Sequence, residues 1–365
     1  MKKLRIRIPA LLVLLALLAG LTSACGVPKV SIPGATVDFT DDCGRTVKVP
    51  AEIRRVAPSG AVAQMILTAI APDLLAGLAG TPGTSQLRYL PENYTELPTF
   101  GQFYGSKSTL NLETLLAAKV DIIIDLGDKK VGHASDMNKI QKQCGIPTIF
   151  LETTLDKFAG AYRRLGVLLG RPERGEELAA YIENTVETAK AIAATIPESE
   201  RKTVMYGSGT SGLNCNARGS VQADVIELVG AVNAIEVPQK ELSNAGGGNT
   251  INMEQLYLFD PDVILLTEGG PYAHVAEDVT WSKLRAVKNG DYYEIPCLPY
   301  NWLSSPPSVN RILGIWWLGN LLYPEYFDYD MAEKTVEFYA LFYNTEISYA
   351  EAEAMLANST GKRTS

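Results

Sequence analysis

TLNLETLLAAKVDIII at residues 109–124 and TINMEQLYLFDPDVIL at residues 250–265 are two versions of one pattern. After the opening Thr, Asn111/Asn252, Glu113/Glu254, Leu115/Leu256, Asp121/Asp262 and Ile123/Ile264 coincide at a constant offset. Each copy spells a short helix running into a strand. An Asn before a helix accepts hydrogen bonds from its free N–H groups, and a first-turn Glu complements the helix dipole. The Ile/Val/Leu run that follows suits a parallel strand covered on both faces. The repeat predicts an α/β protein with two similar α/β lobes, each around a central, mostly parallel sheet, rather than one long sheet.

Between the copies lies the strongest helical periodicity in the chain. From Glu173 to Ile196, Leu178, Tyr181, Ile182, Val186, Ala189, Ile192, Ala193 and Ile196 recur at 3.6-residue spacing, with Pro172 before them and Pro197 after. Such a helix is about 36 Å long, enough to run from one lobe to the other as a rigid strut. Limited interlobe motion is therefore expected. The resulting plan is an N-terminal lobe over 37–155, a linker with the interlobe helix over 156–199, and a C-terminal lobe over 200–325. C-terminal helices over 326–360 follow. Met331–Ala357 reads as two helices capping the C-terminal lobe, and 361–365 as a disordered tail.

The chain has 365 residues, 33 Lys+Arg against 41 Asp+Glu, and a formal charge of −8. The acidic balance argues against a nucleic-acid binder, which carries a basic excess. Lys2, Lys3, Arg5 and Arg7 precede an apolar run from Ile8 to Leu21. About 14 residues are too few for a span, which needs roughly 20, and fit the h-region of a signal peptide over 1–25. LTSACG at 21–26 resembles a bacterial lipobox, which implies lipidation of Cys25. Residues 26–36 then form a tether to the membrane. The mature protein is expected outside the cytoplasm, lipid-anchored to the outer face of the cytoplasmic membrane or facing the periplasm. Export permits disulfides, and Cys43, Cys144, Cys215 and Cys297 allow three pairings. Free buried thiols are an equal reading.

Several further stretches resemble one family in order and spacing. These are FTDDCGRTVKVP at 39–50 with RRV at 54–56, the two Glu-containing repeats, and Gly219-Ser220 followed by GAVN at 230–233. Trp302, Pro306-Pro307-Ser308, Arg311, Gly314 and LYPE at 322–325 continue the series. Together they resemble the substrate-binding proteins of iron–siderophore, haem and cobalamin ABC importers, whose two α/β lobes are joined by one long helix. The resemblance implies a binding protein, not an enzyme. Its partners would be a metal chelate or an oxoanion, and an ABC importer permease dimer docked by Glu113 and Glu254. One carboxylate per lobe gives a two-point contact that fixes orientation.

Ligands of open α/β sheets bind beyond the carboxyl ends of the strands. That rule selects Ala57–Gly60, Gly101–Gly105 and Leu126–Lys129 in the first lobe. In the second it selects Tyr206-Gly207, Asn214–Ser220, Glu268–Tyr272 and Tyr300–Trp302. The candidate ligand-binding residues are Ser59, Gly60, Phe103, Tyr104, Gly105, Tyr206, Asn214, Arg218, Tyr300, Trp302 and Arg311. Aromatics beside Gly-rich backbone suit a flat amphipathic chelate, while helix starts with Arg311 or Arg218 suit an anion. Ser304 stands where related sequences are expected to carry an acidic residue, which leaves a negative ligand open.

No cofactor and no protein-ligated metal are expected, because His133 and His274 are the only histidines. Each lies twelve residues past the Asp of its repeat, and the sequence favours two solvated loops. Gly207–Gly212 satisfies G-x-G-x-x-G, but ahead of Asn214–Gly219 rather than a helix start, against a dinucleotide site. A helix is expected to begin near Ser220. No nucleophile elbow, zinc-protease or P-loop string is present. A surface enzyme or interaction module on the same scaffold is the rival reading.

Overall fold

The computed structural model describes residues 34–105, 108–243 and 248–360. Cys25, the signal segment, most of the tether and the 361–365 tail lie outside the described residues. The described residues from Thr36 onward form one compact unit. It opens with a hairpin of β1 (Thr36–Thr40) and β2 (Thr46–Pro50), paired antiparallel with Thr40 opposite Thr46. Asp41 shapes the turn: its Oδ1 accepts the N–H of Cys43 at 3.0 Å and of Arg45 at 2.9 Å.

A first sheet has the order β3 (Val56–Pro58), β4 (Ile122–Gly127), β5 (Thr148–Glu152), all parallel. The second is built from β6 (Thr203–Ser208), β7 (Asn214–Cys215), β8 (Val232–Asn233), β9 (Asn249–Thr250), β10 (Val263–Leu266) and β11 (Tyr292–Glu294). Its order is β11-β10-β6-β7-β9, with β8 also on β6. The pairs β10/β11, β10/β6 and β6/β8 are parallel, while β6/β7 and β7/β9 are antiparallel. Besides the β1-β2 hairpin, the described residues thus form two sheets, one around each copy of the repeat, as the repeat predicts. The glycine-rich string at 207–212 is the end and turn of the β6/β7 hairpin, so it opens no helix.

The repeated residues do the same work in both copies. Asn111 caps the Leu112–Ala117 helix by accepting from Thr114 N–H at 3.0 Å, and Asn252 caps Met253–Phe259 by accepting from Gln255 N–H at 2.8 Å. Leu115 and Leu256 are fully buried beneath these helices. The Asp of each copy clamps the start of the neighbouring parallel strand. Asp121 accepts the N–H groups of Arg54 and Arg55, each at 2.8 Å, and Asp262 accepts the N–H and hydroxyl of Thr203, also at 2.8 Å.

Burial on both faces of the strands joins the halves. Ile122, Ile124, Val204, Tyr206, Val263 and Leu265 face one continuous core. Ile123 faces a separate outer core, and Met205 and Ile264 another. The shared core is crossed by the helix Pro172–Ala193, whose Leu178, Ala179, Ile182, Val186 and Ala189 are buried. This is the helix expected over 173–196, ending three residues sooner. Gly166 of the helix Phe158–Leu168 and Gly175 let the two helices meet. A Cβ on Gly175 would lie 2.7 Å from Tyr162 O and 2.8 Å from Gly166 Cα.

The C-terminal helices Met331–Phe338 and Tyr349–Met355 depart from their expected place on the second lobe alone. Asn344 donates to Thr68 O at 2.8 Å and Arg88 pairs with Glu351 at 2.7 Å, both on first-half elements. Asn358 O accepts from Glu294 N–H at 3.0 Å in the second sheet. The apolar side of this stretch fits the shared core, so it straps both halves. The four described cysteines are free, with Cys144 and Cys215 buried.

Candidate binding cleft

The strand β3 ends at Ser59-Gly60, which open the helix Ala61–Ile70. The neighbouring β4 ends in Asp125-Leu126-Gly127, with Asp128 beyond it. Over these carboxyl ends lies a recess of about 450 Å³. Its first wall includes Ser59–Ala63, Tyr104 and Asp125–Lys130, and its second is Val221, Gln222 and Ser305–Pro307. Both halves of the molecule therefore line it. A second recess of about 440 Å³ shares Ser305 and is bordered by Gln86, Asn214, Glu268, Cys297 and Tyr300. Gln86 donates to Pro299 O at 2.6 Å across this region.

Asp125 is the polar centre of the first wall and is nearly fully buried. Its Oδ1 accepts a short hydrogen bond from Ser59 Oγ, its Oδ2 accepts from Tyr104 OH at 2.8 Å, and His133 Nε2 lies 2.6 Å from Oδ2. Lys130 N–H donates to His133 Nδ1 at 3.3 Å, which leaves the ring hydrogen on Nε2. His133 packs on Phe150 with ring centroids 3.9 Å apart. Burial raises the Tyr104 hydroxyl far above its ordinary range, and the Asp125 charge adds to the effect. Burial also raises the Asp128 carboxyl, against the pull of Arg311.

The expected site residues divide into five groups. Ser59, Gly60 and Tyr104 line the first recess, and Asn214 and Tyr300 the second. Phe103 and Gly105, with Tyr104, border a third hollow of about 330 Å³ within the first half. Tyr206, Trp302 and Arg311 lie closed off from all of these. Tyr206 shares the inward face of β6 with Val204, and Trp302 packs in the shared core with Nε1 donating to Leu298 O at 3.3 Å. Backbone approach fixes Trp302 there, since a Cβ on Gly314 would be 2.1 Å from Trp302 O.

Arg311 is 1% exposed and spans the halves, donating to Asp224 at 2.8 Å, Val221 O at 3.2 Å and Thr153 O at 3.4 Å. Burial pushes the Asp224 carboxyl up to about 6 despite that partner. Arg218 points to the surface, paired with Glu236 and donating to Asn233 O at 2.9 Å. An arginine already engaged in either way offers little to a ligand.

Two corrections follow from the same geometry. His133 is buried at the start of the helix His133–Cys144, not on a solvated loop, while His274 is exposed. The helix expected near Ser220 begins at Asp224. Asp125, Gln102, Gln222 and the Ser305–Pro307 loop were not among the expected site residues. Asp125 had a sequence signal, being the one polar residue inside the apolar run of β4. Gln102 lay within the selected Gly101–Gly105 loop and Pro306-Pro307 within the resembling stretches, while Gln222 and Ser305 had no signal. Among the described residues, no cluster of His, Cys, Asp and Glu is arranged to hold a metal ion.

Comparison with known proteins agrees with this architecture. A periplasmic binding protein family model matches residues 60–297, and the chain belongs to that family. An ABC transporter solute binding protein from Sulfurospirillum deleyianum superposes with a TM-score of 0.79 at 28% identity, covering 88% of this chain and 99% of that one. The molybdate-binding protein MolA of Haemophilus influenzae is 23% identical over 90% of this chain and 97% of its own length. The putative ABC transporter substrate-binding lipoprotein YhfQ of Bacillus subtilis is 25% identical over 57% of this chain and 66% of its own.

Proposed function

We propose that the protein is the exported solute-binding component of an ABC importer, and that it captures a metal chelate of the ferric siderophore, haem or cobalamin class. The observation that carries this reading is the recess over the carboxyl ends of β3 and β4, lined from both halves. With the adjoining space at Ser305 it has the concave, mixed polar and apolar character of a small-molecule site. Glu113 and Glu254 are exposed at equivalent places in the first turns of their helices. They are the proposed contacts to the permease dimer. Cys25 would carry the lipid that holds the protein at the membrane, and no catalysis is assigned to it.

A second reading, an oxoanion ligand, draws on the likeness to MolA along nearly the whole of both chains. The discriminating experiment is thermal denaturation with ferric siderophores, haem, cobalamin, molybdate and tungstate. A ligand stabilises by RT ln(1 + [L]/Kd), so a compound at a hundred times its Kd adds about 2.7 kcal/mol. A shift with one chelate class supports the first reading, and a shift with molybdate or tungstate alone supports the second. No shift with any of them, at saturating dose, refutes solute binding of these classes.

A further inference from the structure

We propose that Asp125 sets ligand choice by fixing where the hydroxyl hydrogens of the first wall point. The hydrogens of Ser59 Oγ and Tyr104 OH are both committed inward, to the two oxygens of one carboxylate. His133 Nε2–H occupies the same Oδ2 from behind, and that orientation is held by the Lys130 N–H on Nδ1. The buried His133 Nε2 also lies 3.3 Å from the Tyr104 oxygen. An ionised carboxylate only accepts, so neither hydroxyl can turn its hydrogen outward without leaving a buried charge short of a partner. Towards the recess, Tyr104 therefore presents lone pairs.

The Tyr104 oxygen receives a group that brings its own hydrogen: an amide N–H, an ammonium, a hydroxyl. It gives no hydrogen bond to a fully deprotonated oxoanion, for which the donors at this recess include Lys130 and the first turn of the helix Ala61–Ile70. Asp128 at the same wall adds a second acceptor, and Lys129 is turned aside, donating to Asp42 O at 2.8 Å. Asp125 acts here as a positioning residue. The inference rests on the assignment of this recess as the ligand site, and it narrows that assignment to donor-bearing chelates.

The test is calorimetric titration of the wild-type protein and of D125N, D128N and Y104F with two probes. Ferrioxamine B carries amide N–H groups and an ammonium, and molybdate carries no hydrogen at neutral pH. The wild type is expected to bind ferrioxamine B at least tenfold more tightly than molybdate. In D125N the Asn amide donates, so one hydroxyl must accept from it and release its hydrogen towards the recess. The ferrioxamine-to-molybdate ratio should fall by about tenfold, the scale of one mispaired buried hydrogen bond.

D128N removes the same unit charge from the same wall without touching the hydroxyls, and its ratio should change several-fold less. Equal changes in D125N and D128N would reduce Asp125 to a charge and overturn the proposal. Y104F keeps the carboxylate and deletes the acceptor, so it should weaken ferrioxamine B about tenfold without strengthening molybdate. It decides the matter should D125N fail to fold. Wild-type preference for molybdate would overturn the inference while leaving the recess as the ligand site. Binding of neither probe would overturn the recess assignment along with it.

Discussion

Substituting Gly175 by Ala should destabilise the protein, although the same change in an open helix stabilises. The added Cβ would sit 2.7 Å from Tyr162 O and 2.8 Å from Gly166 Cα, and both are backbone atoms of the neighbouring helix. No rotamer change relieves such contacts, so the helices must separate. Overpacking of that kind costs roughly 1–3 kcal/mol. Against it stands the gain from replacing Gly in a helix, about 1 kcal/mol. The net is a loss of up to about 2 kcal/mol.

Gly160 provides the internal control. It lies on the partner helix Phe158–Leu168, is exposed, and a Cβ there would meet nothing within 4 Å. G160A should therefore gain about 0.5–1 kcal/mol. Unfolding entropy of about 2.1 cal/mol/K per residue, over roughly 330 residues, converts these changes to a Tm up to about 3 °C lower for G175A and about 1 °C higher for G160A. Urea midpoints and calorimetry on the two variants measure the difference directly. If G175A were stabilised as much as G160A, the close crossing of the two helices would not be a constraint. The two helices would then not form a stiff strut through the shared core.

Removing either helix cap, N111A or N252A, should cost about 1 kcal/mol, read as a lower urea midpoint with unchanged slope. Asp262 tests the strand clamp through pH. Burial works to raise its carboxyl, but Thr203 and Arg285 outweigh burial and hold it below the usual range. A depressed carboxylate stabilises the fold above the unfolded pKa of about 3.9, and that contribution is lost as pH falls through the lower folded value. The stability gap between wild type and D262N should therefore be full at pH 7 and shrink below about pH 4. A gap independent of pH would contradict the clamp's electrostatic basis. Reversing both exposed glutamates, E113R with E254R, should abolish uptake in cells while leaving ligand binding by the purified protein intact, and retained uptake would refute the docking assignment.

The two-sheet α/β plan was legible in the amino-acid order, because the information is local. A capping Asn, a first-turn Glu, a buried Leu, a clamping Asp and an apolar strand lie within sixteen consecutive residues, and the copies at 109–124 and 250–265 fold alike. The interlobe helix was equally legible, since 3.6-residue periodicity between two prolines needs no distant partner. Ser59, Gly60 and Tyr104 came within reach because strand ends announce where loops must face.

Tertiary structure alone decided which polar and aromatic groups reach the cleft. Trp302, Tyr206 and Arg311 carry the chemistry of ligand contacts, yet the backbone approach at Gly314, the register of β6 and the Asp224 carboxylate draw them inward. His133 moved the other way, from an assumed solvated loop to a buried partner of Asp125. Burial and hydrogen-bond direction depend on residues far apart in the chain: Ser59, Tyr104 and His133 meet at Asp125 only once three loops have packed together. Local pattern can fix an element, but the direction of a hydroxyl hydrogen is set by whichever distant acceptor the fold brings beside it.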